Sequence, residues 1–309
     1  MKVNLSTLTT EQSNDRSTFI DQLSTMEIIK LMNEEDRTVA DSVKEVLPQI
    51  EAAIDAIYNS LKNGGRLIYI GAGTSGRIGV LDASECPPTF CTPPEMVQAL
   101  IAGGEKAILT AVEGAEDGFE VAAEDLKGKN VNHLDVVVGI AASGRTPYVK
   151  GGLYYAESMG ATTISLACNK DAEISQYAKH KIEVVVGPEI LTGSTRLKAA
   201  TAQKMVLNML TTTTMIKLGK VYGNLMVDLQ ASNMKLIERA KSIVTNITGV
   251  SYEEAEATLN QTNQRVKPAI VMIRAGVKLE TAMDSINQAN GFVREAIELA
   301  KKRSQNDAG

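Results

Sequence analysis

RLIYIGAGTSGR, Arg66 to Arg77, decides the fold: an apolar run, Leu67–Ile70, opens directly into a glycine-rich turn. The arrangement recurs in DVVVGIAASGRTP, Asp135 to Pro147. Continuous apolar runs mark strands covered on both faces, and a glycine-rich turn after such a strand is where a helix begins. There the first backbone amides of the helix lack carbonyl partners and the helix dipole favours negative charge, so each turn is suited to an anion. Two such turns on one sheet predict a cradle for a phosphate with a sugar or nucleotide behind it.

Working outward, strands are expected at Leu67–Ile70, Gln98–Ala102, Val136–Ile140, Thr162–Leu166 and Ile182–Val186. Helical stretches are expected between them at Ile78–Asp82, Glu105–Leu126, Pro147–Met159 and Glu173–Lys179, with a long one at Leu197–Leu218. This alternation predicts an α/β fold, a doubly wound, mainly parallel sheet binding its ligand at the carboxyl ends of the strands. Before the sheet, Ser24 and Glu27 form a capping box, and apolar residues from Val43 to Ile57 give a helix over Val39–Leu61 one buried face. Past residue 246, a second capping box at Ser251 and Glu254 precedes three short helical pieces, EEAEATLNQT, VKPAIVMIRA and LETAMDSINQAN. The expected organisation is an N-terminal segment over 1–56, a catalytic α/β domain over 57–220, a connecting helix over 221–245 and a small helical bundle over 246–309.

The bulk properties exclude several classes. A net charge of −5 gives no electrostatic grip on nucleic acid or an anionic membrane, and no apolar run reaches the length of a membrane span. The three cysteines form neither a CxxC pair nor an even-numbered framework, and the N-terminus is polar, which together predict a reducing cytoplasm. The two histidines are far apart in sequence, so no metal site is expected.

Gly71, Gly73 and Gly76 spell G-x-G-x-x-G, which raises a dinucleotide reading. That reading needs a second strand ending in an acidic residue about twenty positions on. Glu95 has the distance, but Pro87, Pro88, Pro93 and Pro94 precede it and do not fit a central strand. A sugar phosphate accounts for more. Thr74 and Ser75 in the first turn, and Ser143 and Thr146 in the second, are short hydroxyl donors, each turn carrying a Ser-Gly-Arg triplet. Singly they read as turn and cap residues; on two strand ends they read as ligand contacts. A third strand end, VVVGPEILTGSTR, offers Glu189, Thr192, Ser194 and Thr195. For chemistry, Glu85 stands before Pro87-Pro88 on a stiffened stretch, and Glu113, Glu116 and Asp117 follow the second strand. One of these facing the pocket would complete a pair of carboxylates for general acid and base work.

These segments, above all GGRLIYIGAGTSGRIGVLDASECPPTF, together with AVEGAEDG, ASGRTPYV and GPEILTGSTRLKAATAQKMVLNML, strongly resemble the N-acetylmuramic acid 6-phosphate etherases. The resemblance runs from Leu8 to Arg294; Ala200 departs from it, standing where many relatives are expected to have glycine. It implies a sugar isomerase (SIS) domain, a C-terminal bundle of ubiquitin-associated type, and a reaction without redox cofactor or metal. That reaction removes D-lactate from N-acetylmuramic acid 6-phosphate, giving N-acetylglucosamine 6-phosphate in cell-wall sugar recycling. It further implies Glu85 as proton donor, Glu116 as the second active-site glutamate, Ser75, Ser143 and Thr146 on the phosphate, Ser194 on the sugar, and a homodimer. Thr74 and Glu189 complete the expected binding set. A sugar-phosphate isomerase and a non-catalytic sugar-phosphate sensor on the same fold are the competing readings.

Overall fold

The computed structural model describes residues 8–229 and 234–306. The chain divides into two compact units, Met1–Ser84 with Pro94–Thr211, and Glu85–Pro93 with Thr212–Gly309.

In the first unit, three short 3-10 turns lead to helices α1 (Thr25–Asp36), α2 (Thr38–Lys44) and α3 (Leu47–Lys62). The Ser24–Glu27 capping box forms as expected. The single helix expected over Val39–Leu61 is two, because the chain turns at Glu45 and Val46 and restarts with Pro48 in the first turn of α3. Strand β1 (Leu67–Gly71) feeds α4 (Gly73–Phe90), which carries the chain into the second unit. There follow β2 (Val97–Ile101), α5 (Lys106–Leu109), α6 (Phe119–Gly128), β3 (Val136–Ala141), α7 (Pro147–Ser158), β4 (Thr162–Ala167), β5 (His180–Glu183) and α8 (Lys198–Lys217). The five strands are all parallel in the order β2-β1-β3-β4-β5. The order reverses direction between β1 and β3, and folds of this class bind ligands at the carboxyl ends of the strands at such a reversal.

Both faces of the sheet are covered. Ile68, Ile70 and Val137 pack with Ala122 and Leu126 of α6 and Val149 and Leu153 of α7. On the other face, Gly79 brings α4 against Tyr69 and Ile140; a Cβ there would lie 3.1 Å from the Tyr69 Cβ. Asp82 of α4 locks this layer, accepting from Tyr69 Oη (2.9 Å), Asn208 Nδ2 (2.8 Å) and Thr211 Oγ1 (3.2 Å). Burial pushes the Asp82 carboxyl above its ordinary value, and these three donors offset part of the rise.

Three sequence expectations shift here. The helix expected at Ile78–Asp82 runs on to Phe90 and contains Pro87 and Pro88. Each proline removes one helical hydrogen bond, and the Cys91 amide on the Pro87 carbonyl (2.9 Å) closes the end. The helix expected over Glu105–Leu126 is interrupted by a loop carrying the 3-10 turn Ala115–Asp117, with Gly114 at φ +72° on the left-handed side that favours glycine. The stretch at Glu173–Lys179 is a 3-10 turn, Glu173–Tyr177, and β5 begins two residues before its expected start.

In the second unit, where a helix was expected from residue 221, β6 (Val221–Tyr222) and β7 (Leu225–Met226) form a tight antiparallel hairpin through Gly223, at φ +59°. Then come α9 (Met234–Thr248), α10 (Tyr252–Gln261), α11 (Val266–Ala275), α12 (Leu279–Gln288) and α13 (Val293–Asn306). Their apolar faces, among them Val244, Leu259, Ile270, Ile286 and Ile297, close into one core.

Candidate active site

The first glycine-rich loop is built by close approach of backbone. Gly73 opens α4 at φ +51°, and a Cβ on Gly76 would lie 2.6 Å from Ile101 Cγ1 and 2.8 Å from the Gly71 carbonyl oxygen. Only glycine lets the helix start this near the strand end. Ser75 in the first turn is 7% exposed, and its Oγ donates to Oε1 of Gln203 on α8 at 3.0 Å. Thr74 beside it is half-buried.

The second loop lies at the neighbouring strand end, since β1 and β3 pair in register up to Gly71 and Ile140. The Arg145 amide donates to Ser143 Oγ at 3.3 Å, and Gly144 sits at φ +73°. Thr146 is the N-cap of α7 with no side-chain cap bond, and Pro147 occupies the first turn. The early amides of a twelve-residue helix therefore face the crevice side of the loop without a capping side chain.

At the ends of β1 and β2, a cavity of about 290 Å3 is lined by Gly73, Arg77, Ala102, Val112, Glu113 and Glu116. Arg77 is anchored by its Nε on the Ile108 carbonyl at 3.0 Å. Glu116 is exposed, in the first turn after Gly114.

Family models match this architecture along most of its length. Residues 49–157 match the N-terminal SIS domain of glucokinase regulatory protein, 118–213 the SIS domain, and 223–274 the C-terminal lid domain of glucokinase regulatory protein. A curated N-acetylmuramic acid 6-phosphate etherase of Clostridium beijerinckii is 59% identical over 271 residues, covering 88% of this chain and 89% of that protein. The chain belongs to the N-acetylmuramic acid 6-phosphate etherase family. The etherase of Mycolicibacterium smegmatis is 58% identical over 273 residues, covering 88% of this chain and 92% of that one. Among solved structures, phosphoheptose isomerase of Neisseria gonorrhoeae is similar at a TM-score of 0.49 and 16% identity, covering 62% of this chain and 98% of that one.

Within this etherase-family chain, the structure sets Thr74 and Ser75 on the strand end adjoining that of Ser143 and Thr146, and sets Glu116 in the cavity wall with Gly73 and Arg77. Glu85 is exposed on α4, three turns beyond Ser75, and falls in the second unit. Glu189 differs from its expected placement as a ligand contact. It is 0% exposed, and its two oxygens accept the Lys198 and Ala199 amides at 2.9 Å each, capping α8. Burial raises its pKa, and the two amides counter the rise. Its carboxylate is spent on the helix, so it shapes the loop carrying half-buried Ser194.

Sequence reading missed the residues that fasten these loops. Asn169, after β4, accepts the Thr9 amide (2.8 Å) and hydroxyl (2.9 Å) and donates to Thr10 Oγ1 and the Ala142 carbonyl, both at 3.0 Å. Glu35 of α1 receives Lys198 Nζ (2.6 Å), Arg16 Nη1 (2.9 Å) and Asn14 Nδ2 (3.0 Å). The segment from Thr9 to Glu35 is thus a strap tied to the loops after β3, β4 and β5. Among the described residues, no helix is long and apolar enough to cross a membrane.

Proposed function

We propose that this protein cleaves the D-lactyl ether of N-acetylmuramic acid 6-phosphate, by eliminating lactate and adding water, to give N-acetylglucosamine 6-phosphate and D-lactate. The observation that carries this reading is the 59% identity, over 88% of the chain, to a relative of that name. Two anion loops at the strand-order reversal are the chemistry such a substrate needs.

In the open-chain sugar, C2 is acidified by the C1 aldehyde and the ether leaves from C3. Glu116 takes the C2 proton, and Glu85 gives a proton to the ether oxygen as the C3–O bond breaks. The Glu85 carboxylate then takes a proton from water as the water oxygen bonds to C3, and Glu116 returns the proton to C2. The cycle starts with one carboxyl protonated and the other ionised, so kcat/KM follows a bell-shaped pH profile. Thr74, Ser75, Ser143 and Thr146 hold the phosphate, Ser194 meets the sugar, and Glu189 supports that contact from behind. The reading includes a homodimer, supported by exposed Phe19, Met26 and Ile29 on the N-terminal strap, and a reducing cytoplasm, in which Cys86, Cys91 and Cys168 persist as thiols outside any disulfide.

Incubation with N-acetylmuramic acid 6-phosphate in deuterated water, followed by NMR, tests the proposal. Lactate release with deuterium at C2 is expected from the wild type. Binding without lactate or exchange overturns the proposal in favour of a sensor, and aldose–ketose interconversion without lactate overturns it in favour of an isomerase.

A further inference from the structure

Gln203 lies on α8 with its side chain 1% exposed, among the most deeply buried amides of the first unit. Its Oε1 accepts the Ser75 hydroxyl at 3.0 Å, while its Nε2 is buried with no hydrogen-bond partner among the described residues. A buried amide NH2 left unpaired costs about 1–3 kcal/mol. An apolar side chain of the same length would avoid that cost, so packing alone gives no reason for glutamine here.

Ser75 supplies the reason. A serine hydroxyl has one proton, and a phosphate oxygen can only accept. With its proton on Gln203 Oε1, Ser75 has none to give a phosphate. Half a turn of the Gln203 amide exchanges Oε1 for Nε2. The Nε2 then donates to Ser75 Oγ, and the Ser75 proton is free for the phosphate. The rotation pairs the NH2, leaves Oε1 in the unpartnered place it vacates, and completes a chain from amide to hydroxyl to phosphate, whose members polarise one another. We infer that Gln203 is a positioning residue that directs the Ser75 hydroxyl, holding its proton in the empty site and releasing it to the substrate's phosphate by turning its amide. This rests on Ser75 being a phosphate contact in the function proposed above.

The test measures binding of N-acetylglucosamine 6-phosphate by calorimetry to wild type, Gln203→Met, Ser75→Ala and the double variant, with melting curves for each. Gln203→Met keeps the length and drops both polar atoms. It is expected to weaken binding about five- to tenfold, the loss of one orienting hydrogen bond. It should raise KM for the lactyl substrate with kcat unchanged, and melt no lower than wild type. In the Ser75→Ala background the same change should have no further effect, because the two side chains act as one unit. Gln203→Glu, measured in alkaline buffer where its carboxylate only accepts and so keeps the Ser75 proton, should bind more weakly than Gln203→Met. Wild-type-like binding by either Gln203 variant overturns the inference, as does an undiminished effect of Gln203→Met in Ser75→Ala. A wild type that binds no sugar phosphate removes the functional proposal and this inference together, whereas wild-type lactate release with indifferent Gln203 variants removes this inference alone.

Discussion

Glu35 takes hydrogen bonds from Lys198, Arg16 and Asn14 in a place where water is scarce. Burial opposes its charge, but the Lys198 ammonium, the Asn14 amide and Arg16 outweigh burial and hold the carboxyl below its ordinary value of 4.5. A depressed carboxyl adds stability above its ordinary value and loses it as pH falls through the folded value. Melting curves of wild type and Glu35→Gln should therefore differ most at neutral pH and converge as acid is added below 4.5. At neutral pH the variant leaves the Lys198 side chain, 4% exposed, without its counter-charge, at a cost of about 3–5 kcal/mol. Two carboxyls separate by role rather than stability. Glu116→Gln should lose both C2 exchange and lactate release, while Glu85→Gln should keep exchange and lose lactate, each lowering kcat by about 10²–10⁴. NMR in deuterated water reads both.

At the scale of elements, the joint between β1 and α4 is a point of close backbone approach at the sheet's carboxyl edge. Gly76→Ala puts a methyl 2.6 Å from Ile101 Cγ1 and 2.8 Å from the Gly71 carbonyl oxygen. It should destabilise by about 1–3 kcal/mol, read by chemical denaturation, and raise KM because Ser75 must shift with the backbone. This joint was legible in the sequence because a continuous apolar run and three glycines leave few other conformations. The first four strands were legible for the same reason, whereas β5, His180–Glu183, shares only Ile182 and Glu183 with the apolar run expected there. The loop bearing Glu113 and Glu116 was not, since its residues suit a helix and a single left-handed Gly114 breaks it. The span of α4 was concealed by Pro87 and Pro88, which argue against a helix locally and are carried by it here. Glu189 was read as a ligand contact because an acidic residue near a glycine turn has the same pattern whether it faces a substrate or caps a helix. Asn169, Glu35 and Gln203 each hold a partner more than a hundred residues away in sequence, Thr9, Lys198 and Ser75 in turn, beyond any local pattern.

For the whole molecule, the proposed homodimer places the exposed side chains of Phe19, Met26 and Ile29 in an isologous contact. Sedimentation equilibrium should give twice the chain mass of 33.1 kDa for wild type and the single mass for Met26→Asp with Ile29→Asp. A wild type sedimenting at the single mass would end the dimer proposal while leaving the lactate assay untouched.

The strap has a consequence for how the protein is made. Its anchors are far downstream: Thr9 meets Asn169 across 160 positions, and Glu35 meets Lys198 across 163. On a ribosome adding about 5–20 residues per second, those anchors emerge on the order of 8–30 s after the strap itself. Through that interval the strap is a passenger without a berth. The first ten residues of the strap suit the wait, for TTEQSNDRST, Thr9 to Thr18, has no aliphatic or aromatic side chain to attract another nascent chain, whereas the apolar residues from Phe19 onward do not share that character. The strap is thereby among the last segments to dock, and its arrival marks the completion of the strand-end loops it binds.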